Sequence, residues 1–332
     1  MKDVFIIDAQ QISVQNPLSH DWMEHPIAYH EPYRRAIDPD FKQYFTPNEA
    51  RRYGKILKRA LLTARKVMEN TAINNPDAII TGTGLGCVEN TELFLEALTF
   101  EGEEMLKPTH FMQSTHNTIS SLIAIDAKCH GYNSTYAHKG ISFECALLDA
   151  FMQLSQGEIT TALVGGHDEM TPKYFSMLEK TGYLGHAKDG FSGETAVSMM
   201  LSSEKNMKAM CRIKHVEMAY GEEVNGVEGV DIDAVMIGVN GATENDAVYA
   251  HIGQNLFPEK PLLHYKHVFG ESYTASGLGL YAVATCLQQQ RIPAHLFVNQ
   301  NQKELQGVKN ILFYNQFENK NHSLILLSSC GE

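Results

Sequence analysis

With 332 residues, 43% of them hydrophobic and 20% charged, the chain has the composition of a soluble globular protein, long enough for two domains or one large duplicated unit. A net charge of -12 argues against nucleic acid as a partner. No apolar run approaches the roughly 20 residues that cross a bilayer, and MKDVFIIDAQ alternates like a strand without a signal-peptide cleavage pattern, so a cytoplasmic location and no membrane association are expected. The six cysteines (Cys87, Cys129, Cys145, Cys211, Cys286 and Cys330) form no CxxC pair, which points to reduced, mostly buried thiols rather than a disulfide framework or a zinc site.

Residues 2–8 read as a first strand, and a polar, His- and Pro-rich segment from Ser13 to Asp40 reads as loop with short helices. Thr46-Pro47-Asn48-Glu49 is a helix start, with Thr as N-cap, Pro at N1 and Glu at N3. The helix is expected to run to about Asn70. Ile56, Leu57, Ala60, Leu61, Ala64, Val67 and Met68 recur on one side at helical spacing, while Arg51, Arg52, Lys55, Lys58, Arg59, Arg65 and Lys66 make the rest basic. That basic face reads either as a solvated surface or as a dock for an acidic partner.

Ala78–Thr81 is a buried strand leading into TGTGLG at Thr81–Gly86. The glycine spacing is GxGxG, and a dinucleotide fingerprint needs GxGxxG opening a helix, so no nucleotide cofactor is expected. His110, His116, His130 and His138 fit no ligand spacing, and no metal is expected.

From Gly131 to Glu169 a short apolar strand (Ser134–Ala137) leads into a tight turn at His138-Lys139-Gly140. A helix follows from Ser142, then a buried strand, Ile159–Val164, stopping at Gly165-Gly166. A helix that starts just after a strand end aims its free N–H groups and positive dipole at the turn, a favourable place for a nucleophile. Beyond it, Ala196–Leu201, Arg212–Met218, Ile232–Val239, Ile311–Tyr314 and Ser323–Leu327 read as strands and Thr274–Gln289 as a small-residue helix, with SSEKNMKA as the crossing between halves. Such alternation predicts helices covering mixed sheets.

This stretch resembles the nucleophile elbow of the β-ketoacyl synthases, in which a Thr-Ala-Cys run ends the strand. Counting back from Gly157 and Gly165-Gly166 places the family's cysteine on Gly140, and a gap of one or two residues moves it to Lys139 or His138. Further likenesses are the run from Lys107, DGFSGETAV from Asp189, and the basic helix start, where the resemblance implies that Arg51, Arg52 and Lys55 dock an acyl carrier protein. The family's HGTGTPLND, aligned on Asn245-Asp246, becomes GVNGATEND, so Gly238 stands for one histidine. KSxxGHxxGAAG becomes KHVFGESYTASG, in which Lys266, Gly270, Ala275 and Gly277 keep the register and Glu271 replaces the other histidine. The C-terminal gate NSFGFGGTN becomes NQFENKN, with Phe317 retained and the loop glycines gone.

The resemblance implies a thiolase-like five-layered α-β-α-β-α fold built from two similar halves, residues 1–205 and 206–332. Because an ionised carboxylate accepts hydrogen bonds and cannot donate them, Glu271 opposes the enolate that the missing histidine would stabilise. The implied role is a catalytically silent subunit similar to chain-length factors. It would pair with an active ketosynthase, or with itself, with the elbow strand near the interface, and shape an acyl tunnel. Two alternatives remain: a stand-alone acyltransferase or thioester hydrolase using Ser142, Cys145 or His138, and a scaffold that only binds carrier protein. Against the former, Ser142 reads as an N-cap, Cys145 as a small core residue, and Lys139 is reactive only where burial lowers its pKa.

Overall fold

The computed structural model describes residues 1–181, 190–205, 208–221 and 229–330. Ten strands form one sheet: β1 Val4–Ile12, β2 Ala78–Gly82, β3 Tyr132–Tyr136, β4 Thr161–Asp168, β5 Thr195–Ser202, β6 Cys211–Tyr220, β7 Ala234–Ile237, β8 Leu262–His264, β9 Asn310–Phe317 and β10 Asn321–Ser328. The helices are α1 Pro47–Arg52, α2 Lys55–Thr71, α3 Val88–Glu101, α4 Pro108–Ser114, α5 Thr118–Ala127, α6 Ser142–Gln156, α7 Pro172–Lys180, α8 Thr243–Asn255, α9 Lys266–Phe269 and α10 Ala275–Gln289.

The strand order is β8-β7-β9-β10-β6-β1-β5-β4-β2-β3. Within the first five strands the third, second, fourth, fifth and first lie side by side, and the second five repeat that order. In each set the fifth strand runs antiparallel to both neighbours. The sets meet where β1 pairs antiparallel with β6 over Val4↔Ile213, Phe5↔Arg212 and Ile6↔Cys211.

Side-chain alternation along the strands separates three apolar layers. Ile79, Leu163 and Met200 pack under α2 and α5, and Val235, Ile237, Leu312 and Leu324 under Tyr249 and Ile252 of α8. The opposite faces, with Ile80 and Val164 from one set and Met236, Phe313 and Ile325 from the other, enclose α6 and α10. Helices, strands, helices, strands and helices therefore stack as the five layers of the thiolase-like fold. Every residue of α10 from Ala275 to Leu287 is buried, as a helix at the centre of such a stack must be.

Several elements differ from the sequence reading. The helix after Thr46 begins with the expected capping box but breaks at Tyr53, which is extended (ψ 132°), and Gly54 restarts it as the N-cap of α2. The elbow strand begins at Tyr132 and is an exposed edge, hydrogen-bonded to β2 alone, rather than a short apolar strand. β4 passes through Gly165-Gly166 to Asp168, since its ladder continues to Asp168↔Thr195, and a side chain at either glycine would crowd His167, Phe143 or Thr274. The gate segment is a tight hairpin: Phe317 pairs with Asn321, and Glu318 and Asn319 both take left-handed backbone (φ 55° and 50°), so pairing replaces the freedom glycines would give. Asp189, which opens the DGFSGETAV run, and Asn206-Met207 of the expected crossing lie outside the described residues. Among the described residues, no helix is long and apolar enough to cross a membrane.

Candidate functional site

β3 ends at Tyr136, a single 3-10 turn spans Lys139–Ile141, and α6 starts at Ser142. The turn is closed by Ser142, whose hydroxyl donates to the Lys139 carbonyl (2.7 Å) and accepts from the His138 N–H (2.8 Å). Ser142 is thus the first residue of the helix rather than its N-cap, and its hydroxyl is buried and committed to the turn. Gly140 faces a cavity of about 210 Å3 whose walls include Lys266, Glu271, Asn240, Asn245 and Phe317. Four of the positions singled out from the sequence, Gly140, Lys266, Glu271 and Phe317, meet here.

At Gly140 a Cβ would overlap the Phe317 ring. The hairpin ladder holds that ring in place, so the space a nucleophile would need is occupied by an aromatic plug. Gly238 is buried at the end of β7, and a Cβ there would collide with the Tyr249 hydroxyl and come within 2.9 Å of Asn315 Oδ1. Those two groups hydrogen-bond each other, with the Tyr249 hydroxyl donating to Asn315 Oδ1 at 2.9 Å. Asn315 Nδ2 in turn donates to Glu144 Oε1 (2.6 Å) and reaches the Gly140 carbonyl (3.4 Å). Gly238 itself lies behind this network and is not part of the cavity wall.

Glu271 presents an acceptor to the cavity. Its Oε2 accepts from Lys266 Nζ and from Asn240 Nδ2, both at 2.7 Å. Asn240 Oδ1 accepts from Asn245 Nδ2 (2.9 Å), and Asn245 Oδ1 accepts from Gln316 Nε2 (2.7 Å). The strongest cation of the cavity is therefore neutralised by the carboxylate beside it, and the amides are spent on one another. Glu144 is fully buried, and burial pushes its carboxyl up to about 7 against the Asn315 hydrogen bond that pulls it down. Its Oε2 has no partner. Such a group is a reservoir of one proton, and the neighbouring Cys145 thiol is itself held protonated and cannot take it up.

The remaining predicted residues lie elsewhere. His138 and Lys139 are exposed and do not line the cavity. Cys145 is half-buried one turn into α6, and burial, helped by Glu144, pushes its thiol up to about 11, which leaves almost no thiolate at neutral pH. Arg51 and Arg52 are exposed at the end of α1 and Lys55 is half-buried at the start of α2. The basic face is narrower than the sequence suggests. Arg59 is 1% exposed and bridges Asp38 and Glu194, and Arg65 is bound by Glu49 and Asp126. The loop after β2 is no phosphate cradle: the N–H groups of Gly84 (2.9 Å) and Leu85 (2.8 Å) and the Thr83 hydroxyl (3.1 Å) already donate to the buried Asp168 carboxylate. Among the described residues, no group of three or more His, Cys, Asp or Glu is placed to hold a metal ion.

Sequence reasoning missed Asn240, Tyr249, Asn315 and Glu144 as the filling of the site. A glutamate in the first turn of a helix reads as an ordinary complement to the dipole. Nothing local distinguishes it from one buried against a strand 171 positions later.

No curated protein matches the sequence. Among solved structures, "The ishigamide ketosynthase/chain length factor" superposes with a TM-score of 0.80 at 16% identity, over 99% of this chain and 100% of that one. "Ketosynthase (ApeO) in Complex with its Chain Length Factor (ApeC) from Xenorhabdus doucetiae" gives 0.79 at 12% identity, over 99% and 98%. A type II acyl-carrier protein in complex with its ketosynthase (AntDE:AntF) gives 0.77 at 12%, over 99% of both chains. At these identities the superpositions speak for the fold alone. The family profile "Beta-ketoacyl synthase, N-terminal domain" matches residues 20–229, well over half of the chain, and with the five-layered fold and the elbow in place the chain belongs to the β-ketoacyl synthase family.

Proposed function

We propose that this chain is a ketosynthase-like subunit that does not condense, pairs with an active ketosynthase in the cytoplasm, and shapes the tunnel in which that partner's acyl chain grows. The observation that carries the reading is the plug. Phe317 fills the space over Gly140, and the positions assigned to the two histidines hold Gly238, backed by Tyr249 and Asn315, and Glu271, tied to Lys266. A decarboxylative condensation needs a nucleophile and hydrogen-bond donors for the developing oxyanion. This cavity offers a plugged turn and a carboxylate.

A pairing surface supports the partner half of the proposal. The outer edge of β3 carries no ladder partner in the sheet order, and α3 and α4 expose Leu95, Phe100, Phe111 and Met112. An open strand edge together with apolar helix faces is a surface that calls for a cover. The solved relatives named as complexes of a ketosynthase with a chain length factor make an active ketosynthase the first candidate cover, with a second copy as the alternative. Arg51, Arg52 and Lys55 are proposed as a carrier-protein dock, and residues 1–205 and 206–332 as the two ketosynthase-like halves.

The stand-alone transferase or hydrolase gains no support from the site, since Ser142 is locked in its turn and the Cys145 thiol is held protonated. Native mass spectrometry of the chain co-expressed with a complete ketosynthase encoded beside it tests the pairing. A one-to-one heterodimer is expected in preference to either homodimer, and a chain that remains a homodimer in the presence of the ketosynthase overturns the reading. Replacing Met170, which lines the cavity, by Trp is expected to shorten the product.

A further inference from the structure

A second cavity, of about 710 Å3, shares Lys266 and Asn240 with the first but does not include Gly140 or Phe317. Three histidines stand in its wall: His264 at the end of β8, His267 in α9, and His295 in the short 3-10 turn Ala294–Leu296. The chain reverses between β8 and α9, so His264 and His267 come face to face with ring centroids 3.6 Å apart and planes 16° from parallel. His295 stands at 6.3 Å from His267, tilted by 62°. Phe191 and Phe297 supply apolar wall.

These imidazoles are underused. Among the described residues, both ring nitrogens of His267 and Nε2 of His295 are buried without a hydrogen-bond partner of good geometry, although the His295 backbone acts on the His267 ring. Buried polar atoms in that state cost free energy that a ligand can recover. Burial first, and the neighbouring rings second, hold His264 down to about 4 and His267 to about 3, so both are neutral near pH 7, each with one N–H and one lone pair.

The charged groups around them are already engaged. Lys266 is held by Glu271, and Asp246 accepts from the N–H groups of Asn240 and Gly241. Arg291 is bound by Glu24 and Glu304 on the His295 side. Two stacked rings present their edges side by side. A metal ion needs lone pairs converging from different directions, whereas an oxyanion accepts from N–H donors that run parallel.

We infer that this cavity is a second ligand site, for a small oxyanion of the sulfate or phosphate class, held by the edges of His264, His267 and His295. The inference does not rest on the pairing with a ketosynthase. Because Lys266 and Asn240 belong to both cavities, an anion bound here competes with Glu271 for the same donors and links the two chambers. The anion also offsets the burial cost and, second to it, the ring-to-ring repulsion that keep the imidazoles unprotonated, so binding takes up protons.

Calorimetric titration of inorganic sulfate into the full chain, alone, tests the site, since sulfate keeps its charge across the working pH range. Saturable binding is expected, strengthening by up to about tenfold per unit fall in pH, with a heat that changes with the ionisation heat of the buffer. His264→Phe and His267→Phe keep the stacked rings and remove the N–H donors; each is expected to weaken sulfate by about tenfold or more without lowering the melting temperature. Should either variant fail to fold, the imidazole proton resonances of the unmodified chain give the same answer, moving on sulfate addition. Absent or non-saturable binding, an affinity flat with pH, binding indifferent to both substitutions, or resonances that do not move would each overturn the assignment, as would stoichiometric zinc binding that depends on these histidines.

Discussion

Glu144→Gln isolates the electrostatics of the buried network in a single measurable quantity. Burial raises the Glu144 carboxyl from 4.5 to about 7, which corresponds to about 3 kcal/mol of difference between its neutral and charged forms. The folded chain holds this proton more tightly than the unfolded chain does. The neutral acid is therefore accommodated in full below the unfolded value, and stability falls as pH climbs from about 4.5 to about 7, where the penalty of charging is complete. Asp168, pushed up to about 6, and Glu169, pushed up to about 7, act in the same direction, again through burial first. The pH dependence of the unmodified chain is thus a sum, and only the difference between it and the variant reports Glu144. Glutamine keeps an oxygen for Asn315 Nδ2 and cannot ionise. Urea unfolding followed by circular dichroism at about pH 5 and about pH 8 is expected to show the variant gaining about 2–3 kcal/mol on the unmodified chain over that interval. Curves that stay parallel to within about 0.5 kcal/mol would show that Glu144 is not charged against a penalty, and the account of the network would fall.

On the proposed reading, a nucleophile introduced at the elbow turn stays blocked by Phe317. Gly140→Cys is expected to lose about 1–3 kcal/mol from overpacking against Phe317 and to resist acylation by a thioester, whereas Gly140→Cys with Phe317→Ala recovers the stability and labels; equal labelling of the single and double variants would show that the plug is not one. Removing the cation that bridges Asp38 and Glu194 by Arg59→Met strands the buried Glu194 carboxylate, and a loss of about 3–5 kcal/mol is expected by thermal unfolding. A loss below about 1 kcal/mol would mean that water reaches Glu194.

The parts of the fold visible in the sequence are those whose cause is local. The capping box at Thr46 and Glu49 and the apolar stripe of α2 depend on neighbours three or four residues apart, and Ile56, Leu57, Ala60, Leu61, Ala64, Val67 and Met68 are all buried as the spacing requires. Arg59 shows the limit of that reasoning. It falls beside the stripe, and the distant Asp38 and Glu194 explain why it is drawn inward. The edge strand YNSTY has no apolar pattern because one of its sides is open, so its limits follow from pairing with β2 rather than from composition. Motif spacing brought Gly140, Lys266, Glu271 and Phe317 into one cavity, since each is fixed by its own turn or strand end. What fills the vacated space was not legible: Tyr249 and Asn315 lie 66 positions apart, and either could have served the outer core.

Asp168 sits a few residues from all of this and behaves differently. Around positions 140 and 238 the space is filled by Phe317 and by Tyr249 with Asn315, and Glu271 is held by Lys266 and Asn240, so on the proposed reading these positions can vary without unfolding the chain. Asp168 has no such understudy. Its carboxylate gathers two backbone N–H groups and a hydroxyl from one loop, and its loss would leave those donors unanswered in the interior. On the proposed reading, chemistry and architecture are thus entrusted to separate residues, and the one can be lost while the other stays locked.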